Sequence, residues 1–199
     1  MCIRDRFCDL RAFTTLSERR LPFDIVFLLN RYFEVVGHAV EETGGLVDKF
    51  VGDGALAIFG LDGSRKRAAR RAITAALRIS RGVEELNRTY ASELDRPLRL
   101  AMSLHTGPAI IGEMGYGAAS QLTAVGDTIN TASRLEGIAK ELDAELVISE
   151  QVTRMAELAP PEHDLKSFAM RGRSAPVMAW IVKDTKSITH LVEDSGVNV

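Results

Sequence analysis

The sequence predicts an α+β sandwich in which helices pack on one face of a mixed sheet. Three observations predict it. Apolar residues recur at helical spacing in three separate stretches, and pairs of short apolar runs joined by glycine-bearing turns lie between them. No internal repeat or low-complexity tract interrupts the alternation.

The first helix follows Leu21-Pro22, where Ile25, Leu28, Leu29, Tyr32, Phe33, Val36, Ala39 and Val40 form one apolar face, and Gly44-Gly45 stops it. Leu46 to Val51 and Ala55 to Phe59 then read as two strands of a hairpin, with Asp53 at its tip between Gly52 and Gly54. A second helix is expected from about Ser64 to Leu94, its inward face carrying Ala69, Ile73, Ala76, Ile79, Val83 and Leu86. Arg65, Lys66, Arg67, Arg70 and Arg71 crowd its first turns and read as a solvated face. Pro97 to His105 reads as a strand ended by Thr106-Gly107-Pro108, and Ala109 to Val125 as a second hairpin with a middle rich in glycine.

Gly126-Asp127-Thr128 opens a third helix, with Ile129, Ala132, Leu135, Ala139 and Leu142 as its apolar stripe. A short strand from Glu145 to Ile148 follows, then a brief helix that Ser149 is expected to cap, with Glu150 in its first turn. Two more strands are expected from Leu165 to Met170 and from Pro176 to Val182. Beyond Lys183 the sequence is polar and aperiodic, so residues 184–199 read as a mobile tail.

Composition narrows the classes of function. With 199 residues, 46% hydrophobic and 26% charged, the chain suits one globular domain with a sizeable core. A net charge of -2, with no basic stripe interleaved with aromatics, argues against a nucleic-acid partner. Cys2 and Cys8 are too few and too close to the N-terminus to staple a secreted fold, and His38, His105, His163 and His190 make no zinc-like spacing with them. No apolar run approaches the roughly 20 residues of a membrane helix, and the opening residues lack a signal peptide's apolar stretch. A cytoplasmic location, free or as the cytoplasmic domain of a larger membrane-attached protein, fits this chemistry.

Two acids carry the chemical signal. Asp9 lies in Phe7-Cys8-Asp9-Leu10-Arg11-Ala12-Phe13-Thr14, and Asp53 sits in a turn whose glycines let backbone and carboxylate approach a bound ion closely. Carboxylates from adjacent strands suit a two-cation phosphoryl-transfer site, where substrate phosphates and water complete the coordination. An isolated Gly-Asp-Gly also serves as an ordinary turn. Asn130 and Arg134, four residues apart on the third helix, face the same way beside its apolar stripe. An arginine suits a phosphoryl group gaining charge, and an amide can orient a ribose oxygen. Taken alone, Asn130 is equally a surface residue and Arg134 a partner for Glu136. Lys49 is equally a solvated strand lysine, and Thr123 an ordinary strand hydroxyl.

Together the motifs form a known pattern. From about Phe7 to Val182 the sequence resembles the catalytic domain of the class III adenylyl and guanylyl cyclases. The resemblance is carried by the segment from Phe7 to Thr14, by Lys49-Phe50-Val51-Gly52-Asp53-Gly54, by Leu104-His105-Thr106-Gly107-Pro108, and by the segment from Thr123 to Leu135. It implies a ferredoxin-like core, with a mixed, mainly antiparallel sheet and packed helices. It further implies a homodimer paired head to tail, with ATP in the groove between protomers and two Mg2+ or Mn2+ ions as cofactors.

Carried over residue by residue, Asp9 and Asp53 resemble the two metal-binding carboxylates. Asn130 resembles the ribose-orienting amide, and Arg134 the arginine that stabilises charge on the α-phosphoryl. Lys49 and Thr123 resemble the pair that reads the purine. An ammonium donating to N1 and an oxygen accepting from the exocyclic amine would favour ATP over GTP. Thr at position 123, where other relatives carry Asp, resembles the branch that includes the bicarbonate-responsive soluble cyclases. Arg171 or Arg173 stands where relatives carry a phosphate-binding lysine. In the family the acids of one protomer meet the base-reading and transition-state residues of the other, and this chain carries both sets, so a homodimer would have two complete sites. The hairpin from Ile110 to Val125 resembles the arm that crosses to the partner.

The activity implied is conversion of ATP to 3′,5′-cyclic AMP and pyrophosphate. The alternatives are a guanylate cyclase, or a nucleotide-binding and dimerisation module that turns over weakly. The chain departs from the pattern at its start, where Ile3-Arg4-Asp5-Arg6 puts three charges in what should be a buried strand. Residues 1–6 are therefore expected to be a foreign or truncated start, with the catalytic domain spanning 7–183 and an upstream regulatory domain missing. Ala12 and Ser103 stand where relatives often have glycine.

Overall fold

The computed structural model describes residues 2–11, 13, 21–61, 63–117, 120–170, 172–173 and 175–193. In chain order the strands and helices that frame the site are β1 (Cys2–Leu10), α1 (Pro22–Glu42), β2 (Leu46–Val51), β3 (Gly54–Phe59), α2 (Arg65–Thr89) and β4 (Leu100–Pro108). They are followed by β5 (Ile110–Met114), β6 (Gln121–Val125), α3 (Asp127–Glu141), β7 (Leu146–Ser149), α4 (Glu150–Ala156), β8 (Leu165–Phe168), β9 (Val177–Val182) and α5 (His190–Glu193). The main sheet runs β2-β3-β1-β4-β7-β9-β8, and β5 pairs with β6 in a second, two-stranded sheet. The succession β1-α1-β2-β3-α2-β4 with spatial order β2-β3-β1-β4 is the ferredoxin-like core. Its strand pairs are antiparallel, and β4 meets β7 in parallel.

Strand periodicity explains how the layers assemble. Met102, Leu104, Leu146, Ile148 and Trp180 point to one face of the sheet, where they bury against Tyr32 and Val36 of α1 and Ile73 and Ile79 of α2. Their neighbours Ala101, Val147 and Ala179 point to the other face and bury against Leu135 and Ala139 of α3. The central strands are thus apolar on both sides. This corrects the expectation that helices cover one face only, because a sheet buried on both sides requires a cover on each.

Several boundaries differ from the sequence reading for local reasons. The second helix ends at Thr89, ahead of the expected Leu94, and the following strand begins at Leu100. Between them the Asn87 side chain accepts from Leu98 N at 2.6 Å and donates to Leu98 O at 2.9 Å, replacing both helical and strand partners. Ser149 precedes α4 as expected but caps nothing, and its buried Oγ has no hydrogen-bond partner among the described residues. The basic run at the start of α2 is not wholly solvated, since Arg70 Nε donates to Ala156 O at 2.9 Å and Lys66 pairs with Glu157. Of residues 184–199, expected to be a mobile tail, Thr185–Ile188 form a 3-10 turn with Thr185 and Ile188 buried and His190–Glu193 form α5, while 194–199 lie outside the described residues. Cys2–Leu10 is hydrogen-bonded on both edges, Arg4 lying opposite Phe59 of β3 and Thr106 of β4, because the ladder engages backbone whatever the side chain.

Candidate active site

Asp9 lies near the end of the central strand β1, and Asp53 in the two-residue loop joining β2 to β3. Gly52 opens that loop with φ +61, in the left-handed region that glycine adopts without strain. Cys8 pairs with Ala55, so the loop curls beside Asp9, and a methyl group on Gly54 would stand 3.9 Å from Asp9 Cγ. Burial, then a hydrogen bond to Asp9 and the charge of Asp9, push Asp53 from the ordinary 3.8 up to about 7. The two carboxyl groups therefore share one corner. Asp9 Oδ1 is buried and receives no N–H or hydroxyl donor among the described residues.

Asp9 Oδ2 takes the ammonium of Lys140, from the last turn of α3, which also lies 2.9 Å from Glu136 Oε1. Burial works against the Lys140 ammonium, but the hydrogen bonds of Asp9 and Glu136 outweigh it and raise its pKa. Glu136 is raised by burial despite the Lys140 hydrogen bond. Sequence reading passed over Lys140 and named Glu136 only as a partner for Arg134, because their place beside Asp9 depends on how α3 packs. Two neighbouring carboxyl groups, one with a buried oxygen that has no hydrogen-bond partner among the described residues, fit a divalent cation. Among the described residues no cluster of three or more His, Cys, Asp or Glu could hold one alone.

A second corner forms where β6 crosses the edge strand β2. A bulge between Val47 and Lys49 breaks the strand alternation at Asp48, whose side chain is 0% exposed. Thr123 Oγ1 donates to Asp48 Oδ2 at 2.9 Å, and Lys49 Nζ lies 3.6 Å from the same oxygen. The structure thus joins the two expected base-reading residues through an acid that the sequence reading did not single out. The available signal was an aspartate between Val47 and Lys49 in a strand whose other residues are apolar.

Asn130 and Arg134 are both exposed on α3. The helix is fixed to β4 at three points. Thr128 Oγ1 donates to Pro108 O at 2.7 Å, Ser103 Oγ donates to Ala132 O at 2.7 Å, and Gly107 leaves room for Thr128, whose Oγ1 would stand 2.6 Å from any added Cβ. Arg173 donates from Nη1 to Asp127 Oδ2 and to Thr131 Oγ1, each at 2.9 Å, at the first turn of the same helix. Arg171 lies outside the described residues. Burial, then the charge of Arg173, lowers the pKa of His105 to about 4, so this buried imidazole is neutral at pH 7.

Among the described residues, one chain therefore holds the expected residues as an acid corner, a corner of Lys49 and Thr123, and an exposed face of α3. A groove of about 380 Å3 between α1 and α2, lined by His38, Glu42, Arg78 and Glu85 among others, includes none of them. Both hairpins carry exposed apolar side chains: Phe50 and Val51 between Lys49 and Asp53, and Ile110, Leu122 and Val125 on the hairpin that holds Thr123.

Comparison with known proteins identifies related sequences and folds. The sequence model of the adenylate and guanylate cyclase catalytic domain matches residues 2–186. An adenylate cyclase of Anabaena cylindrica is 34% identical over 182 residues, which are 89% of this chain and 36% of that protein. The chain thus spans about a third of that relative's length. Among solved structures, the guanylyl cyclase Cya2 superposes with a TM-score of 0.81 at 26% identity, covering 92% of this chain and 91% of that one. The adenylyl cyclase CyaB from P. aeruginosa gives 0.79 at 26% identity, covering 92% and 94%.

Proposed function

Because the chain belongs to the adenylate and guanylate cyclase catalytic domain family, we propose that it converts ATP to 3′,5′-cyclic AMP and pyrophosphate, at sites built between two copies paired head to tail. The observation that carries this reading is the acid corner, where Asp9 near the end of β1 and Asp53 in the adjoining β2–β3 loop converge, with one buried oxygen that has no hydrogen-bond partner among the described residues. Asp9 and Asp53 would hold two Mg2+ or Mn2+ ions, which when bound supply Lewis acidity at the ribose 3′-hydroxyl and neutralise the triphosphate.

The chain's own side chains do the remaining work. To hold a cation Asp9 would have to part from Lys140, for which Glu136 is the second partner. Asn130 orients the ribose so that the 3′-oxygen lies in line with the bond to be broken. The 3′-oxygen forms a bond to the α-phosphorus, the bond from that phosphorus to the β-phosphate oxygen breaks, and the hydroxyl proton passes to solvent. Arg134 donates to the α-phosphoryl as its charge grows. Arg173 would exchange Asp127 for a substrate phosphate, while Arg171 is proposed for the same role on sequence grounds alone. Lys49 donates to adenine N1, and Thr123 accepts from the exocyclic amine.

Pairing is supported by the exposed apolar side chains of the two hairpins that carry Lys49, Asp53 and Thr123. In a homodimer the acid corner of one copy would face the α3 surface and base-reading corner of the other. Relatives of both purine classes share the fold. Preference for ATP is therefore argued from the donor at Lys49 and the acceptor at Thr123.

Product formation from ATP and from GTP, measured in parallel with Mn2+, tests the assignment. Cyclic AMP should form faster than cyclic GMP, and Asp53→Ala and Arg134→Ala should each lower the rate by about two orders of magnitude or more. Rates untouched by either substitution would remove the two-cation account. A faster reaction with GTP would make the chain a guanylate cyclase, and nucleotide binding without product would make it a binding module.

A further inference from the structure

We propose that Asp48 is a positioning residue for purine choice: by taking the hydroxyl proton of Thr123, it makes the base-reading corner an acceptor and so selects an exocyclic amine over a carbonyl. The inference rests on the proposed nucleotide site and adds to it a residue that makes no contact with the base itself.

A threonine hydroxyl is ambivalent, carrying one donor and two acceptor lone pairs. Left free beside a purine, it could rotate to accept from an amine or to donate to a carbonyl. It would then discriminate little between adenine and guanine. Thr123 is not free. It is buried, and its Oγ1 donates to Asp48 Oδ2 at 2.9 Å. A carboxylate offers only acceptors, so the direction of this hydrogen bond cannot reverse. What remains on Thr123 for a ligand is lone pairs.

Lys49 Nζ, 3.6 Å from the same Asp48 oxygen, contributes only donors. Donor and acceptor side by side match adenine, which has an acceptor at N1 and a donor at its 6-amino group. Guanine inverts both. The mismatch would leave polar groups unpaired away from water, which is worth orders of magnitude in selectivity. The placement of Asp48 is also costly unless it serves a purpose. The bulge at Val47/Lys49 turns its carboxylate inward on an edge strand, its side chain is fully buried, and Oδ1 has no hydrogen-bond partner among the described residues. A tether between the two sheets would explain the hydrogen bond without any effect on purine choice, and the experiment separates the two roles.

The full chain is compared with Asp48→Asn, Thr123→Val and the double variant. Selectivity is read as the ATP to GTP ratio of kcat/KM, and as the ratio of equilibrium affinities for 3′-deoxy-ATP and 3′-deoxy-GTP, which lack the attacking hydroxyl. Base choice is therefore measured even if the chain does not turn over. A failure of the cyclase assignment appears as an absence of product from wild type, separately from any shift in the ratio.

The amide of Asp48→Asn keeps the shape of the side chain but can donate to Thr123, releasing its proton to face the base. The ratio should fall about tenfold or more, and adding Asp48→Asn to Thr123→Val should lower it no further. A second measurement needs no variant. Wild type should accept N6-methyl-ATP, which keeps an N–H at the 6-position, and reject 6-methoxypurine riboside triphosphate, which has the same bulk and the same N1 lone pair but an oxygen there. An unchanged ratio in a folded Asp48→Asn protein, an equal fall with and without Thr123, or comparable use of the two analogues would overturn the proposal.

Discussion

Asp53→Asn should stabilise the cation-free protein at neutral and alkaline pH. In the folded chain the Asp53 carboxyl titrates near 7 against an ordinary 3.8, because it is desolvated and faces Asp9. The unfolded chain therefore releases this proton at lower pH than the folded chain does, so between these values folding stability declines as pH rises. The contribution is whole below pH 3.8 and spent by about pH 7. The full difference of about three pKa steps corresponds to roughly 4 kcal/mol, and because Asp53 is part exposed, solvent screening reduces the expected effect to about 1–2 kcal/mol. Asparagine has nothing to titrate. In chelator, its melting temperature relative to wild type should rise between pH 4 and pH 8 by about 2–5 °C for a chain of this size. Mn2+ should then stabilise wild type far more than the variant at pH 8. A melting difference that does not change with pH, together with equal Mn2+ stabilisation of both proteins, would show that the two acids do not share a corner.

Other consequences are simpler to measure. Lys140→Gln removes the ammonium paired with Asp9 and Glu136, so Mn2+ binding without nucleotide, followed by electron paramagnetic resonance, should tighten by several-fold, or about 1 kcal/mol; weaker binding would make Lys140 a support of the cation site rather than its competitor. Arg134→Ala, on an exposed helix face, should leave the unfolding free energy within about 0.5 kcal/mol of wild type while lowering kcat, and a large drop in a denaturant melt would make Arg134 structural. Ser103→Ala, which removes the buried hydrogen bond to Ala132 O, should cost about 1 kcal/mol in the same melt, and no cost would mean that α3 is held to β4 by apolar packing and Thr128 alone.

Local pattern made much of the fold legible. The stripe from Ile25 to Val40 gives α1, and the glycine loop around Asp53 gives the first hairpin, because periodicity and turn chemistry act within a few residues. The face covered by α3 was not legible, since Ala101 and Met102 read as one apolar run and only the assembled sheet separates them onto opposite sides. The 3-10 turn after Lys183 was missed because its burial depends on single residues, Thr185 and Ile188, too sparse to make a period. The acid corner followed the same rule. Asp9 and Asp53 stood out beside turns, whereas Lys140 becomes their neighbour only when α3 packs against β1. Asp48 was hidden by strict alternation along β2, which the bulge breaks.

The central claim is that the carboxylates of one copy act opposite the arginine of another, and mixing two inactive variants tests it directly. In an equimolar mixture of Asp53→Ala and Arg134→Ala, half of the randomly formed dimers would be mixed, and each mixed dimer would keep one intact site of its two. Activity should return to about a quarter of the wild-type rate and should rise with protein concentration. A mixture that stays as inactive as its components, under conditions where sedimentation shows mixed dimers, would mean that each copy must supply both groups to its own site.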